Sequence, residues 1–179
     1  MAVKTNGAIL IGVGSNLALD SECTPLSTCQ KALQKIQDHG ISVLSKSSWY
    51  LSEPVPISAE PWYINGVISI STDLQENKLL KRLLSIETLF GRSTQCRVGP
   101  RTLDLDLLAY GDIICDQSGP PRLSLPHPQL EKRNFVTVPL AEILPSWRHP
   151  VSGALAYDLA RNLHRNQKIV KLDCQTLEI

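Results

Sequence analysis

GRSTQCRVGPRTLDLDLLAYGD, residues 91–112, is the stretch whose reading decides the fold. It opens as a loop bearing Arg92, Arg97 and Arg101, punctuated by Gly91 and Gly99-Pro100, and runs into Leu103-Asp104-Leu105-Asp106-Leu107-Leu108. Such alternation marks a β-strand, because successive side chains point to opposite faces. Asp104 and Asp106 therefore share one face, with Leu103, Leu105 and Leu107 on the other. Two carboxylates this close raise each other's pKa unless a cation lies between them. Hard oxygen ligands of this kind suit Mg²⁺, which takes one or two carboxylates and completes its shell with water and substrate phosphates. The arginines just upstream supply guanidinium groups that grip phosphate oxygens in pairs. An acidic edge strand beside a solvated basic loop would carry the same letters. The loop leading directly into the strand tips the balance toward a metal and phosphate site.

Working outward, the strand before this stretch spans Trp62 to Thr72. Ile64, Ile68 and Ile70 fall on one face, Tyr63, Asn65 and Val67 on the other. Tyr63 beside Asn65 offers a flat ring next to an amide with donors and an acceptor. Between the two strands, Glu76 to Phe90 reads as a helix with Leu79, Leu83, Ile86 and Phe90 as its core stripe. Glu87 lies near its end, within reach of the arginine loop. Upstream, Ala8 to Val13 fits a buried strand ending in the turn Gly14-Ser15-Asn16. Thr24-Pro25 starts a helix that Gly40 ends, and Ile41 to Tyr50 reads as a second strand. Three prolines make Leu51 to Pro61 a stiffened loop.

Downstream, residues 112–121 form a turn-rich excursion. Arg122 to Pro128 is an extended segment in which Pro126 and Pro128 pin His127. Arg133 and Phe135 follow, and Ala154 to Leu163 reads as a last helix. The order strand, helix, strand, strand, helix, strand predicts an α+β fold. We expect a ferredoxin-like β-α-β-β-α-β sheet with helices on one face and additional C-terminal strand and helix elements. The other face is then expected to be open for ligand, carrying Tyr63, Asn65, Asp104 and Asp106.

Composition bounds the functions this site can serve. The chain has 179 residues, enough for one domain over residues 1–179 with a proper core. A net charge of +1 and 5% aromatic residues give no basic stripe and few stacking platforms, which argues against a nucleic-acid-binding module. No apolar run is long enough to span a bilayer and the N-terminal segment lacks a signal-peptide layout, so a cytoplasmic setting without membrane contact is expected. Cys23, Cys29, Cys96, Cys115 and Cys174 are scattered, free of C-x-x-C spacing and read as reduced thiols.

The chain resembles the 6-hydroxymethyl-7,8-dihydropterin pyrophosphokinases of the folate pathway. The resemblance rests above all on Gly99-Pro100-Arg101-Thr102-Leu103-Asp104-Leu105-Asp106-Leu107. Gly12-x-Gly14-Ser15-Asn16-Leu17, Ser48-Trp49-Tyr50, Pro61-x-Tyr63-x-Asn65 and Glu87-x-x-x-Gly91-Arg92 add to it. So do Pro126-His127-Pro128 and Arg133-x-Phe135-Val136, all in the expected order. It implies transfer of diphosphate from ATP to a reduced pterin, with two Mg²⁺ ions held by Asp104 and Asp106.

By the same resemblance Tyr63 and Phe135 sandwich the pterin ring, Asn65 bonds its edge, and Ser52 and Val55 assist. Arg92, Arg101, Arg122 and Arg133 match phosphate-handling or loop-closing arginines. His127 matches a phosphate-contacting histidine, and Glu87 and Ser124 belong with the nucleotide. Leu107 and Leu123 are expected to line the adenine pocket. The catalytic set implied is Arg92, Arg101, Asp104, Asp106, His127 and Arg133. The partners implied are ATP, the pterin and neighbouring folate-pathway enzymes, to which relatives are sometimes fused. Family members often have an arginine where this chain has Thr94, and a small residue or proline where it has Glu53.

Overall fold

The computed structural model describes residues 7–19, 23–91, 101–162 and 167–173. Its elements are β1 (Ile9–Ser15), α1 (Pro25–Asp38), β2 (Ser42–Lys46), β3 (Tyr50–Ser52), β4 (Tyr63–Ser71), α2 (Glu76–Leu89), β5 (Asp104–Tyr110), β6 (Cys115–Gln117) and β7 (Leu123–Leu125). A 3-10 turn, Leu130–Lys132, then leads to α3 (Asn134–Ile143), α4 (Ala156–Arg161) and β8 (Ile169–Lys171). The main sheet runs β5-β1-β4-β3-β8, with β2 also on β4, and every pairing is antiparallel. β6 and β7 form a separate hairpin.

Local chemistry explains the principal elements. Thr24 caps α1 reciprocally: Ser27 N–H donates to Thr24 Oγ1 at 3.1 Å, and Thr24 N–H donates to Ser27 Oγ at 2.9 Å. Pro25 occupies the first turn, where no hydrogen-bond donor is needed. In α2 the stripe Leu79, Leu83 and Ile86 is fully buried, and Phe90 nearly so. The alternation of β5 is as read. Leu103, Leu105 and Leu107 are at most 4% exposed against α1 and α2, while Asp104 and Asp106 face the other way.

Two expectations need correction. The strand expected over Ile41 to Tyr50 is two short strands. At the break the Ser47 hydroxyl accepts from Val67 N–H at 3.0 Å, in place of a ladder bond. Trp49 folds over Gly66 there, where a Cβ would stand 2.9 Å from its ring. The second correction concerns the far face of the sheet, which is only partly open. α3 and α4 cover half of it through a second core of Leu10, Val67, Leu108, Val136, Leu140 and Trp147. A bulge opposite Leu10 and Ile11 lets Leu107 serve one core and Leu108 the other. The uncovered half of that face holds the polar ends of β1, β4 and β5. Among the described residues no helix is long and apolar enough to cross a membrane.

Candidate active site

Sheet register assembles the site. Gly14 of β1 lies between Asp104 of β5 and Asn65 of β4, and Gly12 lies between Asp106 and Val67. On the other side of β4, Tyr50 pairs with Asn65 and Ser52 with Tyr63. Directly paired residues share a face, so Asp104, Asp106, Asn65 and Tyr63 stand on one surface with a glycine floor between the acids and the amide. The floor has to be glycine at position 14. A Cβ there would sit 3.0 Å from Asn65 Oδ1 and 3.9 Å from Asp104 Cβ, filling the passage between them.

A cavity of about 260 Å³ opens on this surface. Ser52, Val55, Tyr63, Asn65 and Phe135 line it, with Asp104, Arg101 and Arg133 at one end. Asn65 is buried, and its Nδ2 donates to Ser52 Oγ at 2.8 Å, which fixes the amide orientation. Phe135 enters from the first turn of α3, with the Arg133 guanidinium 5.5 Å from its ring centre.

The acidic end is electrostatically balanced. Arg101 Nη1 donates to Asp104 Oδ1 at 2.6 Å, and Arg133 Nη1 to Asp106 Oδ2 at 3.5 Å. Burial alone would lower the Arg101 pKa, but the Asp104 carboxylate more than offsets this and the pKa is raised. Asp104 and Asp106 stand roughly 7 Å apart along the strand. Among the described residues no group of three or more acidic, histidine or cysteine side chains could hold a metal ion. Two carboxylates on one open face, beside a cavity able to admit phosphates, still fit Mg²⁺, which takes few protein ligands.

Two buried residues and the half-buried His127 support this end. Asn16 is 3% exposed and joins both neighbouring segments: its Oδ1 accepts from Arg101 N–H at 2.7 Å, and its Nδ2 donates to Pro61 O at 3.1 Å. Glu87 is 1% exposed, and its Oε1 accepts from Leu105 N–H at 2.7 Å, between the two aspartates. Its observed contact is thus with the acidic strand. His127 is joined to β5 through its own N–H, which donates to Leu108 O at 2.8 Å. Burial, with the Arg133 charge, lowers its imidazole pKa to about 4. The ring is neutral near pH 7, with Nδ1 accepting from Gln129 N–H at 3.2 Å.

The remaining candidates are dispersed. Ser124 and His127 line a second cavity, about 510 Å³, bordered by the β6-β7 hairpin. Arg122 is exposed and paired with Asp116 on that hairpin at 3.1 Å. Leu107 and Leu123, expected beside adenine, have their side chains built into the main core. Arg92, Arg97, Thr94 and Val98 lie outside the described residues. Sequence analysis placed Gly12 in the first strand and Gly14 and Asn16 in the turn that ends it, without a role in the site. It left Glu142, which gathers Ser48 and Tyr50, unassigned. The spacing Gly-x-Gly-Ser-Asn at the end of an apolar run was the available signal for the first three.

A family model described as 7,8-dihydro-6-hydroxymethylpterin-pyrophosphokinase matches residues 10–145. The chain belongs to that family. Its curated relatives include the 2-amino-4-hydroxy-6-hydroxymethyldihydropteridine pyrophosphokinases of Synechocystis sp. and Haemophilus influenzae. The first is 43% identical over 84% of this chain and 72% of its own, the second 41% identical over 91% and 96%. A folate synthesis bifunctional protein of Arabidopsis thaliana is 37% identical over 76% of this chain, which spans only 27% of that protein. In fold, the chain resembles Plasmodium falciparum HPPK-DHPS with a TM-score of 0.67 at 12% identity. That match covers 90% of this chain and 44% of the larger one.

Proposed function

We propose that this pyrophosphokinase-family chain transfers diphosphate from ATP to the hydroxymethyl group of 6-hydroxymethyl-7,8-dihydropterin, giving the pterin diphosphate and AMP. One observation carries the reading: a cavity lined by Tyr63, Phe135, Asn65 and Ser52 runs over the Gly14 floor directly to Asp104. A flat heterocycle with polar atoms along one edge needs apolar faces and an oriented amide, and a transferred phosphoryl group needs positive charge and carboxylate-held metal at the adjoining end. The sheet order is read as the ferredoxin-like one, in a single cytoplasmic domain that works beside other folate-pathway enzymes.

Tyr63 and Phe135 hold the ring faces, and Asn65, oriented by Ser52, reads the edge, with Val55 closing the rim. Asp104 and Asp106 hold two Mg²⁺ ions, which when bound supply Lewis-acid neutralisation of the phosphate oxygens. Arg101 and Arg133 stand at the same end with guanidinium groups for the phosphates, and Arg92 is assigned the same task. The hydroxymethyl oxygen forms a bond to the β-phosphorus as the bond from that phosphorus to the AMP oxygen breaks, so no side-chain nucleophile is required. Neutral His127, with Ser124, Arg122 and Glu87, completes the nucleotide side. At Leu107 and Leu123 the groups left for adenine are main-chain ones. AMP release from ATP, measured with and without the pterin and with EDTA, tests the reading. Release that needs both pterin and Mg²⁺ supports it, and release indifferent to pterin refutes it.

A further inference from the structure

The cavity has two walls that come from distant parts of the chain. One is Ser52 to Val55, following β3, and the other is Arg133 and Phe135, at the start of α3. Both are tied to a dipeptide from a third place. Gln167 Oε1 accepts from Asn134 N–H at 2.9 Å, and Gln167 Nε2 donates to Lys132 O at 2.7 Å. Asn134 Nδ2 donates back to Gln167 O at 2.9 Å, so the turn bearing Arg133 and Phe135 is held on three sides. The next residue holds the opposite wall: Lys168 O accepts from Glu53 N–H at 3.2 Å, and Lys168 Nζ stands 3.1 Å from Glu53 Oε1. β8 continues this strap as a strand on β3, pairing Ile169 with Ser52.

One peptide unit thus bridges both walls. Asn134 is 2% exposed, so its contacts with Gln167 are shielded from competing water. The strap lies beyond residue 145, where the match to the family ends. It also gives Glu53 its own partner.

We propose that Gln167 and Lys168 are positioning residues that set the width of the pterin cavity, and through it the affinity for pterin. This rests on the pyrophosphokinase reading of the same cavity. Two bonds from one side chain hold the Phe135 wall. In Gln167→Ala we expect the pterin KM to rise roughly five- to tenfold, with the ATP KM and kcat within about twofold of wild type. Gln167→Glu keeps the acceptor for Asn134 N–H but sets a carboxylate oxygen against Lys132 O, so its pterin KM rises at least as far as in Gln167→Ala. Val170→Ala, on the exposed strap, leaves both KM values unchanged. Steady-state kinetics in each substrate, with thermal unfolding of each variant, provide the test. An unchanged pterin KM in Gln167→Ala, or both KM values rising together with a drop in Tm, overturns the inference while leaving the wild-type activity intact. A wild type that does not turn over the pterin removes the underlying reading, and this inference with it.

Discussion

Replacing Glu87 with leucine should damage the molecule through the backbone of β5. Glu87 is 1% exposed, and its Oε1 accepts from Leu105 N–H at 2.7 Å. Leucine fills similar space but cannot accept, so a buried amide between Asp104 and Asp106 loses its partner. Orphaning a buried donor costs about 1–3 kcal/mol. For a domain of this size each kcal/mol moves the melting temperature by about 2–4 °C, so we expect a fall of roughly 2–12 °C. Glu87→Gln keeps an oxygen for the amide and should lose less. Thermal unfolding gives the first number, and Mg²⁺ dependence of turnover gives the second. A β5 backbone released at Leu105 should also raise the Mg²⁺ requirement, because the carboxylates flank that residue. A Glu87→Leu protein that melts with wild type would refute the reasoning, since Leu105 N–H would then have another acceptor.

Further expectations follow from individual contacts. Gly14→Val puts branched carbon where a Cβ alone would stand 3.0 Å from Asn65 Oδ1, so pterin affinity should fall at least about tenfold, measured by titration calorimetry, and unchanged affinity would contradict the floor. His127 has its pKa lowered by burial from 6.5 to about 4, so the unfolded chain binds more protons between those values. Stability should be full above about pH 6.5 and fall by roughly 2–3 kcal/mol toward pH 4, a slope that His127→Gln should flatten in denaturant titrations. Glu142 accepts from Ser48 N–H at 3.1 Å, Ser48 Oγ at 2.7 Å and Tyr50 OH at 2.8 Å. Glu142→Ala should cost about 1–2 kcal/mol in chemical denaturation, and an unchanged midpoint would show that the clasp contributes little.

Much of the arrangement is legible in the sequence because it depends on local periodicity. The Leu-Asp alternation over residues 103–107, the isoleucines of β4 and the leucine stripe of α2 each have one stable way to bury their apolar side. Elements stabilised from outside are not legible. α3 contains Val136, Thr137, Val138 and Pro139, poor helix formers, and is helical because Val136 and Leu140 pack with Trp147 against the sheet. β7 and β8 are three residues each, too short for any period to appear. At the site, period two pairs Asp104 with Asp106 and Tyr63 with Asn65, each pair on one face of its own strand. The glycine row joining them depends on strand order, which periodicity does not contain. Leu107 and Leu123, expected beside adenine, both have their side chains in the main core, one from β5 and the other from β7.

The central claim is that Asp104 and Asp106 act together on a phosphate group beside an independently formed pterin cavity. The most direct measurement is AMP formation from ATP and 6-hydroxymethyl-7,8-dihydropterin with Mg²⁺, for wild type, Asp104→Asn and Asp106→Asn, alongside pterin binding to each protein without ATP. Turnover should fall by more than roughly a hundredfold in each variant, with pterin affinity within a few fold of wild type. Turnover near the wild-type rate in either variant would contradict the account.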